Sequence, residues 1–321
     1  MDFLLSLMQD PNARWVIAGC FLLGISSGVL GCFAFLRKQS LMGDIIAHAA
    51  LPGICLAFIL QGEKNTVLFM LGALGTGLLG TWCVHSIVRH SRIKSDTALG
   101  IVLSVFFGFG TVLLTGIAQT GAANQSGLDA FLFGKAASLV QADVSMMAVT
   151  AGILLFLVLL LFKEFKLLCF DSNFGRGLGF PMGILDAMVM LMIVLTVVIG
   201  LQAVGVVLMS AMLIIPPLAA RYWTEKLSHM VIISGIFGAI AGVLGTIISG
   251  LVPKLSTGPV IVLAAAALFL FSMLAAPRRG LIFRQVERVK VRRRVAEERI
   301  SREAEQVHLP YGGAVSKGGD A

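Results

Sequence analysis

The sequence predicts an all-α protein, a polytopic bundle of helices that crosses a membrane about nine times. The 321-residue chain is 57% hydrophobic and 13% charged, with a mean hydropathy of +0.93, whereas soluble domains contain about 25% charged residues. Its apolar residues fall into separate runs of about 20, the length that an α-helix needs to span the hydrocarbon core of a bilayer. The composition therefore excludes an ordinary soluble protein.

Several apolar runs are long enough to cross once each. They cover residues 15–36, 41–60, 66–88, 98–118, 144–162, 229–251 and 258–276. The first run follows a single basic residue, Arg14, without an evident cleavage site, which favours a retained helix over a signal peptide. The stretch Leu128–Val140 is too short to cross and is predicted to be re-entrant or interfacial.

Residues 183–220 form an apolar run that is too long for one comfortable crossing. Loops rich in Lys and Arg favour the cytoplasmic side of a membrane. The basic loops 89–97 and 163–182 and the basic C-terminal segment lie on that side together only if this run crosses twice, as two short helices that meet near Gln202. The interpretation is nine crossings with the N terminus outside, and the alternative is eight, with one long tilted helix here.

Asp44 and His48 are the leading candidates for a functional site. They lie in the second apolar run, where an ionisable side chain is costly and is usually functional. Four residues apart, they share one face of a helix, beside a helix break expected at Pro52 and Gly53. A carboxylate with an imidazole favours Zn, Mn or Fe over Mg, Ca or Cu(I). The pair is predicted to be a transient cation site, with a packing role as the alternative.

The C-terminal residues 278–321 differ from the transmembrane domain predicted for residues 1–277. They contain eleven Lys and Arg against six Asp and Glu. Apolar residues recur among them at helical spacing, which favours a cytoplasmic amphipathic helix on anionic lipid, followed by a disordered end. A contact with a partner protein is the alternative. Nucleic-acid binding is not expected, because no recognisable module is present.

The sequence contains no P-loop, no dinucleotide fingerprint and no HExxH motif. The chain is therefore predicted not to be an enzyme and to hold no cofactor, a metal ion being its cargo. Any energy must then come from an ion gradient or from a separate ATPase. A proton-coupled secondary transporter, with Asp44 and His48 as a proton relay, is the alternative from a different class, and a structural or sensory subunit is a third.

Four segments, in the same order, resemble motifs of the bacterial ABC-3-type metal permeases, which are membrane subunits of manganese, zinc and iron importers. The segments are Ser40–Gly53, Ser95–Gly100, Phe170–Gly179 and Gln202–Pro216. The likeness covers about residues 10–277. The resemblance implies that Asp44 and His48 are metal ligands. It also implies that residues 170–181 dock into an ATPase, with Phe170, Asp171, Phe174 and Gly179 as coupling residues.

The resemblance further implies an assembly of two permease subunits, identical or different, with two cytoplasmic ABC ATPases and an extracytoplasmic metal-binding protein. It places the chain in the cytoplasmic (inner) membrane of a bacterium, where it alternates access as the ATPases push residues 170–181. Mn²⁺ is the first expected cargo, with Zn²⁺ or Fe²⁺ as further candidates. The chain departs from the family pattern at Pro217, where small residues are usual, and in its long charged tail.

Overall fold

The computed structural model describes residues 11–61, 65–119, 139–251 and 255–276, together with Gly280. Within these ranges the chain forms helices and no strand, so the all-α prediction is confirmed. In chain order they are α1 (Pro11–Leu36), α2 (Met42–Gln61), α3 (Thr66–His90), α4 (Ser95–Gln119), α5 (Gln141–Leu160), α6 (Phe162–Phe170), α7 (Ser172–Gly177), α8 (Met182–Val204), α9 (Val206–Arg221), α10 (Leu227–Leu251) and α11 (Thr257–Ala275).

The long apolar run 183–220 is divided into two helices, as predicted. α8 ends at Val204 and α9 begins at Val206, with Gly205 between them at φ +86°. This backbone conformation is open to glycine and strained for other residues. The break therefore lies just beyond the predicted position at Gln202. One long helix over this run, the alternative interpretation, is not what the structure shows.

α9 runs back toward the end of the bundle where α8 begins. Asp186, near the start of α8, contacts Arg37 at the end of α1. Gly31, also near the end of α1, packs against Pro217 in the last turns of α9. The described chain therefore runs along the bundle nine times. Eight of these helices are long and apolar enough to cross a membrane, and the 16-residue α9 is shorter.

α1 and α10 pack closely enough for their backbones to meet. Gly24 of α1 and Gly238 of α10 face each other so tightly that a methyl group on either would collide with the carbonyl of the other. The Ser234 hydroxyl donates to the Gly28 carbonyl oxygen at 2.7 Å. Small residues allow such an approach, in which dispersion contacts and interhelical hydrogen bonds stabilise a membrane bundle. Among the described helices, these two make the most extensive contact.

Basic side chains gather at one end of the bundle, which we call the basic end. Arg37 and Lys38 follow α1, Arg89 lies in the last turn of α3, and Arg176 lies in α7, and all four line one cavity there. The predicted arrangement of the basic loops on one side is therefore present in the fold. By contrast, the predicted re-entrant stretch up to residue 138 and the tail 278–321 apart from Gly280 lie outside the described residues.

Candidate functional site

Asp44 and His48 lie side by side on α2, as predicted. His48 Nε2 is 3.5 Å from Asp44 Oδ1, and the two side chains are 22% and 36% exposed respectively. Asp44 stands in the first turn of α2, where the helix dipole stabilises a carboxylate. The two side chains therefore point the same way and are both partly accessible.

The pair lies about halfway along the bundle. The His48 ring packs edge-on against Phe107 of α4, with 4.8 Å between the ring centroids. Phe107 is the middle residue of the 25-residue helix α4, so each half of α4 extends about 18 Å from this contact. A mid-depth position suits an ion site that opens alternately to the two sides of a membrane.

The helix break expected beside the pair is absent: α2 continues through Pro52 and Gly53 to Gln61. Packing explains the difference. Gly110 of α4 leaves room for the Pro52 ring, and Gly53 faces the backbone of Gly72 on α3. Two neighbouring helices thus hold this turn of α2, and burial favours an intact helix because unpaired backbone groups are costly there.

Pro52 nevertheless changes the backbone hydrogen bonding of α2. Proline has no backbone N–H, so the carbonyl of His48, four residues earlier, lacks the donor that a regular helix would supply. This oxygen belongs to the same residue as the imidazole. Pro52 therefore leaves one backbone carbonyl of α2 with spare acceptor capacity, and this carbonyl points toward the C-terminal end of the helix.

Two side-chain ligands are as many as the fold assembles here. Within the described ranges, no group of three or more His, Cys, Asp or Glu side chains comes together. His85 lies elsewhere, in the cavity at the basic end, as its expected place near the membrane surface requires. A cation at Asp44 and His48 would therefore need further ligands from water, from the backbone or from another subunit.

Asp186, near the start of α8, has a partner from a distant part of the chain. It forms a hydrogen-bonded ion pair with Arg37, and the Arg37 and Asp186 side chains are 14% and 23% exposed. Arg37 follows the end of α1 and lies beside the first turns of α8. The two residues are far apart in the sequence, so their contact depends on how the helices pack. The pair ties α1 to α8 at the basic end.

The segment 170–181 contains a capped short helix, α7. Asp171 Oδ1 accepts a hydrogen bond from the Phe174 N–H at 2.9 Å. α7 ends at Gly177, and Gly179, at φ +85°, turns the chain and donates its N–H to the Arg176 carbonyl at 3.0 Å. Such a turn after a helix is typical of glycine.

An apolar ridge stands on this segment. Phe170, Phe174 and Leu178 are 60%, 58% and 57% exposed, and Phe180 is 40% exposed. Phe170 and Phe174 are two of the expected coupling residues, and Leu178 and Phe180 share their exposure. Their large apolar side chains, lying between two predicted spans, were the available signal in the sequence. A shared helix face was not, because the non-helical Asp171 separates Phe170 of α6 from Phe174 of α7. Phe107, which contacts His48, had no comparable signal in the sequence.

Comparison with known proteins decides the family. The model of the ABC 3 transport family matches residues 9–276. The chain belongs to this family. As an ABC 3 protein it is a multi-span membrane permease of the ABC-transporter type, and the resemblance read from its four motifs is confirmed.

Relatives of this ABC 3 chain are named for manganese, zinc and iron transport systems. It is 54% identical over 293 residues to the manganese transport system membrane protein MntC of Bacillus subtilis (strain 168), covering 91% of this chain and 67% of that protein. It is 43% identical over 291 residues to the zinc transport system membrane protein TroC of Treponema pallidum (strain Nichols), covering 91% and 98%. The solved structure of PsaBC from Streptococcus pneumoniae in complex with Fab is similar, with a TM-score of 0.76 and 35% identity over 87% of this chain and 96% of that one.

Proposed function

We propose that this ABC 3 chain is the membrane-spanning permease subunit of an ATP-driven importer of divalent transition metal. Mn²⁺ is the first expected cargo, and Zn²⁺ and Fe²⁺ are the others. One observation carries the proposal: Asp44 and His48 stand 3.5 Å apart, partly accessible, halfway along the bundle. Ionisable residues at such depth are costly in a membrane and serve pathways more often than packing.

The donor atoms support the class of metal. Carboxylate and carbonyl oxygens suit Mn²⁺, and imidazole nitrogen suits Zn²⁺ and Fe²⁺. Asp44 supplies a carboxylate and His48 an imidazole nitrogen. The names of the Bacillus and Treponema relatives, one for manganese and one for zinc, agree with this mixed donor set.

The small number of ligands suits transport, because a site that must release its cargo cannot enclose it tightly. Phe107, which packs on His48, is itself 39% exposed. α4 turns most of its surface outward in this single chain. A second permease subunit, identical or related, placed against this face would supply the remaining ligands. An extracytoplasmic metal-binding protein would deliver the ion.

The energy would enter through the segment 170–181. Exposed Phe170 and Phe174 would form an apolar binding surface for a cytoplasmic ABC ATPase. The Asp171 cap and the turn at Gly179 hold the backbone of this segment in one conformation. Closure of the ATPases on ATP would move this segment and shift the bundle between inward-open and outward-open states. The basic end would then face the cytoplasm of a bacterium by the positive-inside rule.

Metal uptake tests the site. Asp44→Ala and His48→Ala are expressed in a metal-starved strain that lacks other importers, with Asp96→Ala and His90→Ala as matched controls. The controls remove the same residue types from exposed positions near the basic end. We expect Mn²⁺ uptake to fall at least tenfold in the two site variants and to persist in the controls. Normal uptake by both site variants at unchanged expression would refute the assignment.

The energy source separates this proposal from a proton-coupled transporter that uses the same pair as a relay. The chain is reconstituted in vesicles with and without its co-expressed ATPase. We expect uptake only with the ATPase and ATP together. Uptake driven by a proton gradient in the absence of ATP would overturn the ATP-driven mechanism and leave the metal pathway intact.

A further inference from the structure

A cavity at the basic end is separate from the metal site. It measures about 820 Å³ and lies between the ends of α1, α3 and α6, the short helix α7 and the start of α8. Four basic side chains line it, Arg37, Lys38, Arg89 and Arg176, against the single carboxylate of Asp186. Since Asp186 is paired with Arg37, the other three cations are left to face an anion. Such a cavity repels divalent cations and attracts anions.

An apolar groove continues from this cavity toward the middle of the bundle. The groove, of about 270 Å³, lies between α3, α8 and the start of α2, where Gln39 and Met42 line it. It shares His85, Gly183 and Asp186 with the cavity. Leu78 and Trp82 of α3 line its wall and are 36% and 66% exposed. The cavity and the groove therefore form one continuous channel along the surface of the bundle, charged at one end and apolar at the other.

The order of residues on α3 shows the same gradient. Leu78, Trp82, His85 and Arg89 follow one another at spacings of four, three and four, so they form a single stripe on one face of the helix. The stripe passes from an aliphatic side chain through an indole to an imidazole and a guanidinium. Tryptophan is typical of the level of lipid headgroups, and basic pockets between helices bind anionic headgroups.

We infer that this channel is a binding site for an anionic phospholipid of the leaflet at the basic end. The phosphate lies among Lys38, Arg89 and Arg176 in the cavity, and one acyl chain lies along Leu78 and Trp82 in the groove. Charge complementarity selects an anionic headgroup over a neutral one. The apolar groove selects a lipid over a free phosphate, which would leave the groove uncovered.

The ATPase-facing ridge leaves this site free. Phe170, Phe174 and Leu178 form the ridge on the exposed side of the 170–181 segment, whereas Ser172 and Arg176 line the cavity. A lipid bound here contacts α1, α3, α7 and α8 at once. It would therefore stabilise the arrangement in which Arg37 is paired with Asp186.

Binding of phosphatidylglycerol to the full chain in uncharged detergent tests the inference. Phosphatidylcholine serves as the neutral lipid, and glycerol 3-phosphate as a headgroup without chains. We expect Arg89→Gln/Arg176→Gln to weaken phosphatidylglycerol binding roughly 30-fold, since each basic residue near an anionic lipid contributes about fivefold. Lys163→Gln/Lys166→Gln is the matched control, because these exposed basic residues of α6 do not line the cavity.

Two further variants separate the sources of binding. Trp82→Ala is expected to weaken phosphatidylglycerol binding and to leave the weak binding of glycerol 3-phosphate unchanged. Replacing Arg292, Arg293 and Arg294 with Gln removes charge from the basic tail and is expected to leave the high-affinity lipid unaffected.

Three results would overturn the inference. They are equal affinity for phosphatidylcholine and phosphatidylglycerol, equal affinity for glycerol 3-phosphate and the lipid, and equal loss of binding in the Lys163/Lys166 control. A change of oligomeric mass in Trp82→Ala would also overturn it, because a second copy of the chain would then cover the groove.

Discussion

Gly53→Ala tests how helix packing positions the metal site. Gly53 lies on α2 just after Pro52, where α2 crosses α3. A methyl group at Gly53 would collide with the Gly72 carbonyl oxygen and the Thr76 hydroxyl of α3. Thr76 has little freedom to move away, because its hydroxyl donates to the Gly72 carbonyl at 3.0 Å. The substitution must therefore push α2 and α3 apart.

The expected cost is the difference between two effects. Overpacking a tight contact costs about 1–3 kcal/mol, while replacing glycine by alanine inside a helix gains about 0.5–1 kcal/mol. The net destabilisation is then at most about 2.5 kcal/mol. Gly75→Ala, on α3, is the matched control because no atom lies within 4 Å of the added methyl group. It is expected to stabilise the protein by about 0.5–1 kcal/mol.

The two variants are compared by denaturant unfolding in detergent micelles and by metal uptake in cells. We expect the free energy of unfolding to fall in Gly53→Ala and to rise in Gly75→Ala. We expect a loss of uptake only in Gly53→Ala, because His48 lies little more than one turn away on the same helix. Equal stability of the two variants would show that α2 and α3 can move apart without lowering the free energy of unfolding. Normal uptake in a destabilised Gly53→Ala would show that this contact does not position the site.

Three other measurements follow from the fold. Gly205→Ala should lower the free energy of unfolding by about 1–3 kcal/mol, because φ +86° is strained for alanine; an unchanged value would mean that the α8–α9 turn relaxes freely. Asp186→Ala should cost about 1.5–3 kcal/mol at most for the lost charged hydrogen bond, and Asp186→Arg with Arg37→Asp should restore part of it; no recovery in this charge swap would contradict a pairwise contact. Burial raises the pKa of Cys169 to about 11, so alkylation at pH 7.5 should be at least tenfold slower than for an exposed thiol with a pKa of about 8.5; equal rates would contradict that burial.

Local patterns in the sequence predicted much of the molecule. The apolar runs gave the helices because a bilayer requires each crossing to satisfy its own backbone hydrogen bonds within about 20 residues. The pairing of Asp44 with His48 followed from the four-residue spacing alone. The Asp171 cap and the turn after Gly177 were equally local. These features depend on residues only a few positions apart, and the sequence gives that spacing directly.

Other features depended on contacts between distant parts of the chain. α2 passes unbroken through Pro52 because glycines on α3 and α4 give its backbone room, and Asp186 meets a guanidinium 149 positions away. The channel at the basic end, the proposed lipid site, combines residues from six helices. Many such pairings are compatible with the same hydrophobic pattern, and close packing selects one of them. The sequence alone therefore determined which segments enter the membrane and which two side chains share a face. Only the tertiary structure decided which helices pack against one another, because packing energy depends on the shapes of the contacting surfaces and not on the order of residues along the chain.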